Sequence, residues 1–501
     1  MNVGTRLSER VDWAVLILLP VGGIVCGYLA VAIGSYGAGT KMLAAAAALA
    51  LAAIAAVAPV RFAAPATVCA AIAITALVPY SVLPDAGAVK YAGLGAGFLC
   101  LLAWARTRTP SSGWGWYALS LLAFLPATML DSAHLASDYE LRLLVVSIVL
   151  TVPIAALIST FDEMQRLWVV RSVVLLAVAQ SVYAYFEYSQ RWTPLWYSFA
   201  SDQSYGARAG TRVGLYNNFL NDGSIRAQGT FGHPLLLGLL AAVALVLLFT
   251  WPVVRTRLVR WPLAALLFAT FAVAGTRTFV VVVPLVVIFF ATRRVRLSAG
   301  RVLAGAYLFV ALLLALWFVG VFSTGPVQQL LGSDSVTHRS SIIGSIGGVL
   351  SNQDPLALVI GEGYLTQARL FSTGVIQVGD GLRVIDNQVV STLAMAGVVG
   401  LAILIVTLWK AARAADSRAL ALLAVVVATF FSFDVYLWPS SLMMVALAVG
   451  MCHAPSPSVV TLRTEVGGRS GDVRGKARPG NAMVGQDHPL VVVAGKRGIV
   501  D

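Results

Sequence analysis

The stretch RVIDNQVVSTLAMAGVVG, residues 383–400, sets Arg383, Asp386 and Asn387 directly against an apolar run that continues to residue 409. Roughly twenty apolar residues in a helix cross the ~30 Å hydrocarbon core of a bilayer, so this junction reads as a polar loop entering a membrane. The same reading picks out further runs at 12–33, 43–60, 66–83, 91–105, 117–130, 143–160 and 167–186. A second set lies at 235–254, 261–275, 278–292, 302–322, 388–409, 419–434 and 436–453. The fold class is therefore an all-α, polytopic integral membrane protein of about 12–14 transmembrane helices. The two shortest runs, 117–130 and 261–275, also fit re-entrant or buried segments.

Composition agrees. Of the 501 residues 59% are hydrophobic and only 11% charged, and the mean hydropathy is +0.84, far above what a soluble domain with a polar surface carries. The net charge of +13 does not indicate a nucleic-acid partner, because the basic residues lie between apolar runs and form no single patch. Cys26, Cys69, Cys100 and Cys452 all fall in or at the ends of apolar runs with no CxxC pair, so neither a disulfide framework nor a zinc site is indicated.

Cytoplasmic loops are enriched in Lys and Arg. With the N-terminus inside, 24 of the 35 basic residues fall in inner loops, inner helix ends and the tail. Both termini are then cytoplasmic, residues 1–454 form the transmembrane domain, and two long polar loops, 187–234 and 323–387, face outward. The first apolar run is followed by no small-residue cleavage site and reads as an anchor. The tail, 455–501, is rich in Gly, Arg, Pro and Ser and reads as disordered.

Three outward arginines run against that bias: Arg226 in SIRAQGTFGHP, Arg277 in AGTRTF and Arg339 in THRSS. Each taken singly fits snorkelling or a helix end. Together on one side they would make an anion site, since the guanidinium fork matches phosphate oxygens.

These segments resemble a known family. RAQGTFGHPLLLG (226–238) is similar to the Arg-x-x-Gly-x-Phe-x-Asn-Pro signature of the O-antigen ligase and O-antigen polymerase superfamily, and GTRT (275–278) to its later Ser-Arg-Thr turn. HRSSIIGSIGGVLSNQDPLALVIGEGY (338–364) resembles its large periplasmic loop, and DNQVVSTLAMAGVVG (386–400) the opening of the membrane helix that follows. The resemblance covers residues 226 to about 405, in the family's order. His233 stands where the family usually has Asn, and Asp386 where ligases usually have His, which favours a polymerase-type member.

The resemblance implies a metal-independent glycosyltransferase without a cofactor. It would take a glycan from an undecaprenyl or related polyprenyl pyrophosphate and polymerise it, or transfer it to an acceptor glycan or glycolipid. The setting implied is the outer face of a bacterial cytoplasmic membrane, in cell-surface polysaccharide biosynthesis, with a flippase and a chain-length determinant as partners. The residues fit that chemistry. A pyrophosphate leaving group gathers negative charge that fixed cations would stabilise, and Arg226, Arg277 and Arg339 are the candidates. An acceptor hydroxyl needs a base, and a carboxylate near apolar surface can have its pKa raised toward the working range. Asp386 is the first candidate and Glu362, in GEGY, the second. Arg383 and Asn387 would hold glycan or phosphate, and His338 beside Arg339 is either a site residue or a surface one. Capping of the helix alone also accounts for Asp386 and Asn387.

Other features weigh less. The Tyr- and Trp-rich YFEYSQRWTPLWYSF (185–199) reads as an interfacial belt or a sugar-stacking surface. A polyprenol-sugar transferase with its acid in the first outer loop is disfavoured, because that loop is GSYGAGTK. A lipid-linked oligosaccharide flippase or other polysaccharide exporter is the rival reading. It predicts short loops and ionisable residues within the helices, whereas here the polar chemistry gathers in two loops.

Overall fold

A computed structural model describes residues 53, 57–77, 87–107, 113–130, 137–190, 217–218, 221–222, 226–254, 256–276, 278–279, 282–284, 286, 341–364, 367–376 and 385–455. Within these, regular structure is helical apart from a two-residue antiparallel ladder that pairs Asn217–Asn218 with Asn221–Asp222. The expected runs at 12–33 and 302–322, most of 43–60 and 278–292, most of the loop 187–234, part of the loop 323–387 and the tail beyond residue 455 lie outside the described residues.

Helix α1, Val60–Leu77, starts upstream of the expected 66–83 and takes in Arg61, whose guanidinium lies over the Phe62 ring at 4.6 Å. Helix α2 is Gly87–Arg106. The run expected at 117–130 is two short helices, α3 Trp114–Leu122 and α4 Leu125–Leu130. Pro126, which supplies no N–H and crowds the carbonyl four residues back at Leu122, is the second residue of α4, where the interruption falls. Helices α5, Ser137–Ile158, and α6, Glu163–Ser189, are joined by a tight turn. There Asp162 accepts from Gln165 N at 2.8 Å and Gln165 Oε1 accepts from Asp162 N at 3.0 Å, a reciprocal cap.

Helices α7, Pro234–Thr250, and α8, Arg257–Val273, follow, and three short helices, α9 Ile346–Asn352, α10 Pro355–Ile360 and α11 Gln367–Ser372, carry the chain onward. Helices α12, Gln388–Ala414, α13, Ser417–Thr429, and α14, Pro439–His453, complete the bundle.

Four helical segments, Val60–Leu77, Leu141–Ile158, Glu163–Ser189 and Gln388–Ala414, are long and apolar enough to cross a membrane. Helices α7 and α14 are apolar all round and buried along most of their length, as central helices are. Their neighbours turn large apolar side chains outward instead, among them Leu175, Phe186, Val398, Ile405 and Trp409. Such a surface suits lipid better than water. Close helix crossings rest on small residues: a Cβ on Gly97 would lie 2.3 Å from the Val149 carbonyl oxygen, and one on Gly450 would lie 2.8 Å from Ile158 Cβ.

The two ends of the bundle differ in chemistry. At one end Arg166 is buried, donates to the Pro455 carbonyl at 3.0 Å and lies 3.8 Å from Asp416. Arg418 pairs with Glu163 at 3.0 Å, and both guanidinium groups face the Trp251 ring. Lys410 lies over Trp116 and Arg413 over Trp409. The starts of α6 and α13 and the ends of α7, α12 and α14 all meet at this basic end. The chain therefore brings the end of α6 and the starts of α7, α12 and α14 to the opposite end, where the candidate site lies.

Candidate functional site

Asn387 caps α12, its Oδ1 accepting from Val389 N at 2.9 Å and Val390 N at 3.1 Å. That settles the capping question residue by residue: the cap is Asn387, and Asp386 stands outside it, half-buried. The next residue, Gln388, is fully buried. Its backbone N donates to the Phe430 carbonyl at 2.8 Å and its Oε1 accepts from Tyr436 N at 2.6 Å. The start of α12 is thereby fixed against the turn between α13 and α14.

That turn, within FSFDVYLWPSS (431–441), holds a residue the sequence reading passed over. Asp434 is 2% exposed. Its Oδ2 accepts a short hydrogen bond from Ser391 Oγ and another from Gln367 Nε2 at 3.1 Å, while its Oδ1 has no hydrogen-bond partner. Burial raises its pKa well above the ordinary carboxylate value, the bonds from Ser391 and Gln367 offset part of that, and the charge of nearby Asp386 adds to it. Asp386, one residue before the cap, and Asp434, bonded to Ser391 in the first turn, are thus two acids at the head of α12.

Glu362 is engaged otherwise. Arg369 Nε lies 3.0 Å from its Oε2, and Arg369 Nη2 donates to its carbonyl at 2.6 Å. The GEGY backbone also fills a break in α12. Gly397 adopts φ 66° and ψ −169°, which interrupts the helix, and the carbonyls of Ala394 and Met395 accept from Glu362 N and Gly363 N at 3.0 Å each. Only glycine fits on either side: a Cβ on Gly397 would lie 2.3 Å from the Val359 oxygen, and one on Gly361 2.1 Å from Met395 C. Beyond the joint Tyr364 is buried, its hydroxyl donating to the Tyr436 carbonyl at 2.7 Å.

The arginine motifs meet on the other side of the same turn. Arg226 donates through Nε to the Ala274 carbonyl at 3.1 Å and through Nη2 to that of Gly275 at 3.4 Å. Gly275, at φ 64°, is the glycine of GTRT, and a Cβ there would lie 2.9 Å from Arg226 Nε. The two motifs are one structural unit. His233 caps α7, accepting from Leu235 N at 3.3 Å, and its ring lies 5.2 Å from that of Trp438 and 5.6 Å from that of Phe433. Burial, and then the Arg226 charge, push its pKa down to about 3, so it is neutral near pH 7. The loop bearing Arg226 and His233 therefore touches the turn that bears Asp434.

Arg277, His338, Arg339 and Arg383 lie outside the described residues. The four other expected site residues are Arg226, Glu362, Asp386 and Asn387, all at the same end of the bundle. Asp434, Gln367, Gln388 and Arg369 are additional. An isolated acid between apolar runs was signal enough to find Asp434, but counting 419–434 as one apolar run absorbed it.

Fold and site together define a class: an all-helical bundle, several of whose helices suit a membrane, with a buried polar site at the end opposite its basic cluster. No protein-family model matches the chain, and no curated protein matches it.

Proposed function

We propose that this protein is a membrane glycosyltransferase that polymerises or transfers a polyprenyl-pyrophosphate-linked glycan onto an acceptor sugar. In this reading the chain has about 12–14 spans, with both termini and the basic end on the cytoplasmic side of a bacterial inner membrane, and two long loops and the site on the outer face. The observation that carries it is the convergence, on the Ser432–Trp438 turn, of a cation-bearing loop and a carboxyl pair. The Arg226 loop reaches that turn through His233 and Trp438, and the Asp386–Asp434 pair reaches it through Gln388 and Ser391. The segregation of basic residues to the far end supports the orientation.

The acceptor hydroxyl oxygen attacks the anomeric carbon, the bond from that carbon to the pyrophosphate oxygen breaks, and the electron pair leaves on the phosphate. Arg226, with Arg277 two residues beyond Gly275, stabilises the charge that develops there. The hydroxyl proton passes to the carboxyl pair. A carboxyl group that keeps its proton leaves its neighbour as the base. Asp386, the more exposed, is that base; Asp434, buried and hydrogen-bonded, holds the proton and sets the affinity of its partner. Arg383, Arg339 and His338 would hold glycan or phosphate, Asn387 caps the helix beside the base, and the Glu362–Arg369 pair braces the joint in α12.

Substitution at Asp386 tests this. A base is lost in both Asp386→Asn and Asp386→Ala, so extension of a purified polyprenyl-pyrophosphate oligosaccharide falls in both. Retained extension with Asp386→Asn sinks the assignment of the base.

A further inference from the structure

Glu187 lies in the last turn of α6 at the site end and is fully buried. No part of the transfer chemistry above uses it. Its Oε2 accepts two backbone hydrogen bonds, from Gln228 N at 3.1 Å and Gly229 N at 2.9 Å. Two turns earlier on the same helix, Gln180 accepts from Thr230 N at 3.0 Å through Oε1 and donates to Thr230 Oγ1 at 2.6 Å through Nε2. A spacing of seven residues puts Gln180 and Glu187 on one helix face.

These bonds leave the strap after Arg226 little freedom. Ala227 N donates to the Val273 carbonyl at 2.9 Å, at the end of α8. The next three N–H groups are taken by Glu187, Glu187 and Gln180 in turn. Thr230 Oγ1 also donates to the Ala76 carbonyl at the end of α1. Every backbone donor from 227 to 230 is therefore fixed by a neighbouring helix, and Arg226 hangs from the end of that strap with its guanidinium on the Ala274 and Gly275 carbonyls.

A buried carboxylate is costly to keep, and apolar residues would pack the end of α6 without that cost. We propose that Glu187 is a positioning residue for the anion-binding arginine: by holding the amides of Gln228 and Gly229 it sets the place and direction of Arg226 toward the donor pyrophosphate, with Gln180 as its helper. The inference rests on the proposed function. One oxygen of Glu187 takes both amides, so the carbonyl of a glutamine can do the same, and Glu187→Gln is the conservative variant. Glu187→Leu keeps the bulk and removes the acceptor.

The test is the affinity of purified protein in nanodiscs for undecaprenyl pyrophosphate, measured for wild type, Glu187→Leu, Glu187→Gln, Arg226→Ala and the Glu187→Leu/Arg226→Ala double variant. Glu187→Leu is expected to weaken binding by about tenfold to a hundredfold, the scale of an ångström-level misplacement, and Glu187→Gln to restore it to within about threefold. In the Arg226→Ala background Glu187→Leu is expected to have no further effect, because the residue acts through the arginine. Gln180→Leu gives a smaller loss in the same direction and serves if Glu187→Leu does not fold. A folded Glu187→Leu that binds as wild type does, or losses that add in the double variant, overturn the inference alone. Wild type that does not bind the probe overturns the functional reading and the inference with it.

Discussion

Asp434, at the site end of the bundle, is held differently from the acids at the basic end. At the basic end acids meet cations: Glu163 meets Arg418 and Asp416 faces Arg166. At the other end Asp434 is buried with neutral hydrogen-bond donors, Ser391 and Gln367 among them, and its Oδ1 has no partner among the described residues. An arrangement of the first kind anchors helices. One of the second kind is a burden on stability that perturbs a pKa, and such groups concentrate where chemistry is done. On the proposed function the difference puts the chemistry beside Asp434, and each expectation below would break or sharpen that division.

The largest effect is expected at Asp386. Replacing it with Asn keeps the shape and removes the base, and transfer by folded protein should fall by about 10²–10⁴-fold. Retained transfer would make Asp386 a packing residue only. Gly397→Ala comes next, because the new Cβ would lie 2.3 Å from the Val359 oxygen at a positive φ. It should cost about 3 kcal/mol or more, visible as a lower Tm in detergent, with transfer reduced because the joint orients the helix that begins beside Asp386.

At the basic end Arg166→Ala should cost about 1–3 kcal/mol, since it removes the buried donor to the Pro455 carbonyl, while Asp416 keeps the amides of Arg418 and Ala419. Activity per folded molecule should be unchanged; a selective loss of activity would erase the division of labour.

His233 gives a pH signature at the site end. Its folded pKa of about 3 lies below its ordinary 6.5, so the native state binds fewer protons than the unfolded chain between those values. Its contribution is intact above pH 6.5 and is lost as the pH falls toward 3, by about 1.4 kcal/mol per pH unit. His233→Asn keeps a helix cap and removes the titration, so the acid side of a Tm-against-pH curve should flatten. At pH 7.5 the variant should lose about 1 kcal/mol of ring contact. The smallest effect belongs to the exposed Arg418–Glu163 pair, where Glu163→Gln should change stability by less than about 1 kcal/mol.

Much of this was legible in the chain. Apolar runs located α5 to α8 and α12 to α14 with ends up to six residues off, because an apolar helix bonds its own backbone along its whole length while its polar ends carry no apolar signal. The start of α1 was not legible, since counting apolar residues excludes an interfacial arginine such as Arg61 that lays its guanidinium over Phe62. Nor was the break in α12: Gly397 sits inside an unbroken apolar string, and what stabilises its break is the backbone of Glu362 and Gly363, far away in sequence. The N-cap role of Asn387 followed from residue type and position. The partners of Asp386 did not, because Asp434 arrives from another loop, and the Tyr and Trp residues around YFEYSQ drew attention from Glu187 in their midst.

The most direct measurement of the central claim is made in proteoliposomes loaded with a labelled polyprenyl-pyrophosphate oligosaccharide and an acceptor glycan, following glycan transfer and lipid translocation in the same vesicles. The account predicts longer or transferred glycan from wild type, and little from folded Asp386→Asn or Arg226→Ala. Labelled lipid that crosses the bilayer while no glycan is transferred would contradict it, and would make the protein a flippase.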